Sequence, residues 1–148
     1  ADFKDEFEER KDSHACAARR IHEINKNIVQ VGIRCLDKEE KEFIDKNNIK
    51  TFFMKDVNNI QEIISSLKEN VYITIDLDGF DPSVIPAVGT PEPGGLTWYQ
   101  GLNILKEVFK NKNVIGMDVN ELSPKENDLI SPYATAKLIY HCIGYKFN

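Results

Sequence analysis

The chain has 148 residues, 41% hydrophobic and 29% charged, with 19 Lys and Arg against 24 Asp and Glu for a formal net charge of −5. That size and balance suit one folded domain with a sizeable core and exclude wholesale disorder. They argue against a surface built for nucleic-acid phosphates, and no stretch approaches the ~20 uncharged apolar residues of a membrane span.

The N-terminus, Ala1-Asp2-Phe3-Lys4-Asp5-Glu6, is acidic rather than basic-then-apolar, so no secretory signal is read there. It also lacks an initiator Met, and the expectation is that something was removed or that this is a piece of a longer protein. The spacing of Ala15, Ala18 and Ile21/His22 predicts a helix over 13–23. Residues 28–33 read as a buried strand, the charge-rich 37–45 as a helix, and 50–54 as a short second strand. Ile60, Ile63, Ile64 and Leu67 place a helix over 57–67. Val71 to Ile75 is β-branched or aromatic throughout and is the strongest strand of the chain.

Further on, Thr97 and Gln100 form a capping-box pair ahead of Trp98, Leu102, Leu105 and Phe109, the apolar face of a helix. Residues 114–117 read as a fourth strand. Ser131 and Pro132 are placed as the cap and first position of a last helix running to about Ile143. Such alternation means a parallel sheet covered by helices. Cys16, Cys35 and Cys142 are odd in number, widely spaced and without a C-x-x-C. They are taken as small buried hydrophobes of a reducing, cytoplasmic setting.

Leu77 to Gly95 breaks the regularity, carrying Pro82, Pro86, Pro91 and Pro93 with Gly79, Gly89, Gly94 and Gly95. A structureless loop of that length is usually functional, and ligands of open parallel sheets gather at the carboxyl ends of strands. Asp76 and Asp78 stand where the strand ends, on one side if extended geometry persists through Leu77. Two adjacent carboxylates repel unless a proton or a cation holds them, and carboxylate oxygens suit Mg, Ca or Mn. The alternative is a pair of turn caps in solvent. Glu121, after the fourth strand, offers a carboxylate to the same cleft, where it would orient a cation. Taken alone it reads as a solvated loop acid, and Asp118 reads as a strand residue facing the protein. Among the histidines, His14 sits at a helix start close to the acidic opening and is a candidate proton shuttle. His22 is two turns too far on to share its site, and His141 reads as a packed or surface residue.

Taken jointly, these segments resemble the ureohydrolase family of arginases and agmatinases. Thr74 to Pro82, with Pro86-Ala87 and Gly89 to Leu96, is similar to the family's S/T-x-D-x-D signature with its spaced prolines and GTP-x-x-GG-L stretch. Gly116 to Pro124 resembles G-x-D-x-x-E-x-x-P, and Ala1-Asp2 looks like the last two residues of a D-A-H-x-D motif, with Ser13-His14-Ala15-Cys16 following as in agmatinase-like members.

The resemblance implies a three-layer αβα fold with a parallel sheet, with 1–148 the C-terminal part of a single ureohydrolase domain whose N-terminal strands and first metal-binding motifs are absent. It implies a binuclear manganese site with Asp2, Asp76 and Asp78 as ligands, Asp76 bridging and Asp2 also meeting the metal-bound hydroxide. His14 would be the proton shuttle and Glu121 the holder of the guanidinium. The implied reaction of the full-length protein is attack of that hydroxide on agmatine, giving putrescine and urea in polyamine biosynthesis. Arginine or a guanidino acid are the alternative substrates within the family. The implied setting is a cytoplasmic homo-oligomer, trimer or hexamer, with no nucleic-acid or membrane partner.

The remaining metal ligands of the family lie outside this sequence, so the isolated chain is expected to bind manganese poorly and to be inactive. Without the strand that ends in D-A-H, 28–33 and 50–54 are expected not to pair with 71–75 and 114–119. Two further readings stand beside this one. Ile73 to Gly79 looks like the D-x-D-G nucleophile motif of haloacid-dehalogenase phosphatases, without that family's later acidic pair. The other is an inert fragment or binding module with a degenerate site.

Overall fold

A computed structural model describes residues 1–147. Helices and strands alternate as α1 (Ala17–Ile24), β1 (Val29–Ile33), α2 (Lys38–Lys46), β2 (Lys50–Phe53), α3 (Ile60–Ser66), β3 (Asn70–Asp76), α4 (Trp98–Asn111), β4 (Asn113–Asn120) and α5 (Ile130–Phe147). β1 and β2 pair in parallel, with an irregularity between Val31 and Ile33 where Gly32 takes φ +88°. β3 and β4 pair in parallel from Asn70 opposite Asn113 to Asp76 opposite Asn120. Among the described residues these two pairs are not hydrogen-bonded to each other, the arrangement expected from the sequence.

Local chemistry sets most of the helix starts. The Thr97 hydroxyl accepts from the Gln100 amide while the Gln100 side chain accepts from the Thr97 amide, closing the predicted box on α4. An equivalent box at Asp37 and Glu40 opens α2. Two starts depart from expectation. Helix α3 begins at Ile60 rather than Val57, because Met54–Asp56 form a 3-10 turn and the Asn59 carbonyl accepts from Glu62 and Ile63. Helix α5 begins at Ile130 and runs to Phe147, so Ser131 is not its cap. Asp128 does that work, its Oδ1 accepting from the amides of Ile130 (2.8 Å) and Ser131 (3.2 Å). Ser131 is buried instead, its hydroxyl accepting from the Ala87 amide at 2.9 Å. Pro132 stays within the first turn, where a missing N–H costs nothing.

One face of β3 and β4 packs against α4 and α5 through Ile75, Leu77, Phe80, Leu102, Leu105 and Leu138. The Phe80 ring occupies the space beside Gly101, where a Cβ would lie 2.5 Å from the ring, which explains a glycine inside a helix. A separate cluster of Phe3, Ile44 and Ile49 anchors the N-terminal segment against α2. Cys16 and Cys142 are buried as expected, but Cys35 is exposed, because the chain leaves the sheet there at the end of β1. His141 packs beside Trp98 and Tyr145. No helix of the described residues is long and apolar enough to cross a membrane.

Candidate active site

β3 ends at Asp76, and Leu77–Gly79 turn at once into a 3-10 segment, so extended geometry does not persist through Leu77. Burial of the Leu77 side chain in the main core draws the chain over at this point. The Asp76 carboxylate accepts from the Asp78 amide at 3.2 Å, and the two carboxyl groups come within hydrogen-bonding reach of each other. Burial, then the Asp78 charge and more weakly that of Asp2, push the Asp76 carboxyl up to about 7. Asp78 in turn accepts from the Thr90 hydroxyl at 2.7 Å.

Asp2 reaches this place from the other end of the chain. The fully buried Phe3 ring fixes its neighbour, and the Phe3 amide donates to Glu40 at 2.9 Å. Asp2 itself adopts φ +60°, a left-handed conformation that aspartate tolerates better than most residues. Burial raises its pKa, opposed by the N-terminal ammonium; Asp78 and Glu40 raise it further and His14 lowers it. Asp2 therefore feels the charges of Asp78 and His14, and Asp76 those of Asp78 and Asp2. His14 begins the short 3-10 turn ahead of α1 and meets the Phe7 ring edge-on at 5.6 Å.

Glu121 follows β4 directly at φ +65°, which costs a glutamate about 1–2 kcal/mol. Its Oε2 lies 3.5 Å from where a Cβ on Gly89 would be, and the Ser123 amide donates to Ala87 at 2.9 Å. The Gly89–Thr90 step thus runs from Glu121 to the partner of Asp78. Asp118 lies within β4, as read from the sequence, and accepts from Thr74, Asn120 and the Tyr72 hydroxyl.

The proline- and glycine-rich loop is not structureless, and two residues that organise it escaped the sequence reading. Asp81 accepts from the Ser83 amide and hydroxyl (2.9 and 2.5 Å) and from the amides of Gly94 and Gly95 (2.9 and 3.2 Å). The Asp-Pro-Ser run is a recognisable Asx-turn pattern and was the available signal. Arg34 crosses from the end of β1 to donate to carbonyls on both limbs of the loop; nothing local in its sequence reveals this. The Ser83 hydroxyl and the amides of Ser83, Gly94 and Gly95 hold the Asp81 carboxyl down at about 2, so its ionised form favours the folded state above the ordinary carboxylate range. That contribution is lost as pH falls from about 4 towards 2. Asp81→Asn is therefore expected to lower the thermal midpoint at neutral pH, with the gap to the parent protein closing below pH 3; a gap independent of pH would refute this.

Among the described residues, no three or more His, Cys, Asp or Glu side chains gather closely enough to hold a metal ion by themselves. The donor chemistry nonetheless fits part of a coordination sphere. Asp2, Asp76 and Asp78 offer oxygen ligands of the kind that suits Mn, Mg or Ca, and the repulsion among them is what a divalent cation relieves. An apolar groove of about 570 Å³ between Trp98 and the first turns of α5 contains none of these residues.

The arginase family model matches residues 1–144, a span that includes the 73–79 segment on which the phosphatase reading rested. N(1)-aminopropylagmatine ureohydrolase of Synechocystis is 43% identical, over 97% of this chain and 49% of that protein. Agmatinase of Pyrococcus horikoshii is 36% identical, over 97% of this chain and 51% of that protein. The crystal structure of agmatine ureohydrolase of Thermoplasma volcanium superposes with a TM-score of 0.87 at 32% identity, covering 98% of this chain and 51% of that one. The chain spans about half the length of the curated relatives it matches, and that half is the C-terminal one. With its two parallel strand pairs, its helices and its carboxylate-bearing strand ends, the chain belongs to the arginase family and carries the C-terminal half of the arginase fold.

Proposed function

We propose that these residues form the C-terminal part of a ureohydrolase domain that hydrolyses the guanidino group of agmatine or its N(1)-aminopropyl derivative, releasing urea and an amine. The observation that carries this reading is the Asp76–Asp78 pair at the end of β3, tied by the Asp78 amide to the Asp76 carboxylate and by Thr90 to Asp78, with Asp2 near enough for its charge to act on Asp76. The three aspartates would hold part of a manganese pair, with the remaining ligands and the N-terminal strands supplied from outside this chain. Bound there, two Mn ions would lower the pKa of a coordinated water and stabilise charge on the guanidinium carbon.

The chain's own residues divide the remaining work. Glu121, on the far side of Gly89, would accept paired N–H bonds from the planar guanidinium and fix its orientation. His14, beside Asp2, would pass a proton to the departing amine nitrogen as the C–N bond breaks. Glu6, Glu8 and Glu9 are exposed on the segment that turns back at Phe7 towards His14. Acids there favour a substrate with a second cationic group over one with an α-carboxylate. The same reading places the complete protein in the cytoplasm as a manganese-dependent homo-oligomer of polyamine biosynthesis.

The test is urea release by the complete polypeptide, with and without Mn, from agmatine, N(1)-aminopropylagmatine, arginine and guanidinobutyrate. Manganese-dependent urea from either of the first two, well above the others, is the expected result. Preference for arginine or the guanidino acid would overturn the substrate, and release of phosphate from a phosphate monoester without urea would overturn the reaction class. The isolated 148-residue chain, assayed beside it, is expected to be inactive; titration calorimetry showing tight binding of two Mn ions to it would contradict that.

A further inference from the structure

Arg34 lies at the end of β1, two residues beyond the bulge at Gly32. A bulge with a left-handed glycine re-aims the strand that follows it, and here the side chain is directed out of its own sheet towards the loop after β3. Nη2 donates to the carbonyl oxygens of Asp78 (2.6 Å) and Glu92 (2.6 Å), with a longer approach to Phe80 (3.4 Å). Nε faces the carbonyls of Glu92 (3.2 Å) and Pro93 (3.3 Å). Asp78 and Phe80 belong to the turn that carries the carboxylates, whereas Glu92 and Pro93 lie on the far limb of the same loop. The guanidinium thus closes the loop on itself and ties it to β1, across the gap where the two strand pairs share no backbone hydrogen bonds.

None of the described acids forms an ion pair with Arg34, and its Nε and Nη2 donate to main-chain carbonyls. Nη2 alone bridges the two limbs, and the rigid guanidinium plane adds Nε on the far limb; an ammonium, a single point of charge on a flexible stem, has no second nitrogen to hold Glu92 and Pro93 in that way. The Asp78 carbonyl belongs to the same residue as the carboxylate that faces Asp76. Holding the carbonyl restricts the torsions that aim the side chain, in the way that outer-shell partners orient metal ligands.

We propose that Arg34 is a positioning residue for Asp78: it clamps the turn and the far limb of the loop so that the carboxylate is aimed before a divalent cation arrives. The inference rests on the reading of Asp78 as a metal ligand and adds to it a residue that touches neither metal nor substrate. Its consequence is that Arg34 governs metal affinity far more than it governs folding.

The experiment compares the complete polypeptide with its Arg34→Ala and Arg34→Lys variants. Free Mn(II) is followed by electron paramagnetic resonance in the absence of substrate, with thermal unfolding and amide exchange at Gly94 and Gly95 measured alongside. Arg34→Ala is expected to weaken manganese binding roughly 10–100-fold, the range for loss of an outer-shell partner. Exchange at Gly94 and Gly95 should quicken, while the metal-free thermal midpoint moves by only a few degrees. Arg34→Lys should fall between the two, since its ammonium can keep the bridge made by Nη2 but loses the Nε contacts with Glu92 and Pro93. Manganese affinity within twofold of the parent protein in Arg34→Ala overturns the proposal, as does a loss of affinity that merely follows a loss of folded protein. A parent protein that binds no manganese overturns the metal-ligand reading itself, and the proposal with it; retained binding with an indifferent Arg34 overturns the proposal alone.

Discussion

Asp76→Asn in the complete polypeptide is expected to abolish tight manganese binding and manganese-dependent urea release while leaving the metal-free protein at least as stable as its parent. The two effects have one cause. Asp76 is half-buried and within hydrogen-bonding reach of Asp78, with Asp2 adding a third acidic charge. Without a cation, burying that charge disfavours the folded state, so replacing it with a neutral isostere relieves repulsion. The amide oxygen can still accept from the Asp78 amide, which preserves the start of the 3-10 turn. With a cation, and Asp76 among its ligands as proposed, the same substitution removes a direct ligand, and the loss should exceed the roughly 10–100-fold typical of an outer-shell partner. Thermal unfolding in chelator, set beside manganese titration and urea assay, separates the two. A variant that loses its fold together with its activity would show Asp76 to be a structural residue. One that retains full manganese affinity would remove it from the ligand set.

The second large effect is expected at Gly95, with Gly94 as its internal control. A Cβ on Gly95 would sit 2.5 Å from the Asp81 nitrogen and the Phe80 carbonyl carbon, backbone atoms that cannot swing aside. The Leu96 amide donates to Gly79 and the Asp81 amide donates to Leu96, both at 3.0 Å, so the two limbs of the loop are already in contact. Gly95→Ala must separate them, breaking those bonds and the Asp81 carboxylate's hold on the Gly95 amide. The expected loss is about 2–3 kcal/mol, towards the upper end of overpacking effects. Gly94 has φ +76° but open space around it, so Gly94→Ala meets only the left-handed penalty of about 1–2 kcal/mol. Denaturant unfolding of both variants should rank Gly95→Ala as the more damaging, with the larger fall in manganese affinity. The reverse order would mean that conformation rather than contact governs this limb.

Much of the architecture was legible because its causes are local. The β-branched run at 71–75, the capping box at Thr97 and Gln100 and the turn residues of 77–95 each act within a few positions, and each appears in the fold. The Ser131 cap failed for a reason of the same scale but a longer reach. Its hydroxyl is taken by the Ala87 amide across the core, which leaves the helix start to Asp128. The D-x-D pair was legible as a pattern, whereas the turn at Leu77 was not, since it depends on a core assembled from α4 and α5.

What the sequence determined by itself, then, was the order of strands and helices, the loop that carries the carboxylates and the kind of chemistry two adjacent acids invite. Tertiary structure alone decided how Phe3 brings Asp2 within range of the Asp78 charge, that Glu121 stands over Gly89 and that Arg34 spans the two limbs of the loop. Those pairings join residues far apart in the chain, and no periodicity or capping rule encodes them. They follow from where buried side chains such as Phe3, Leu77 and Phe80 pin the backbone, and from the direction in which the bulge at Gly32 aims the residue beyond it.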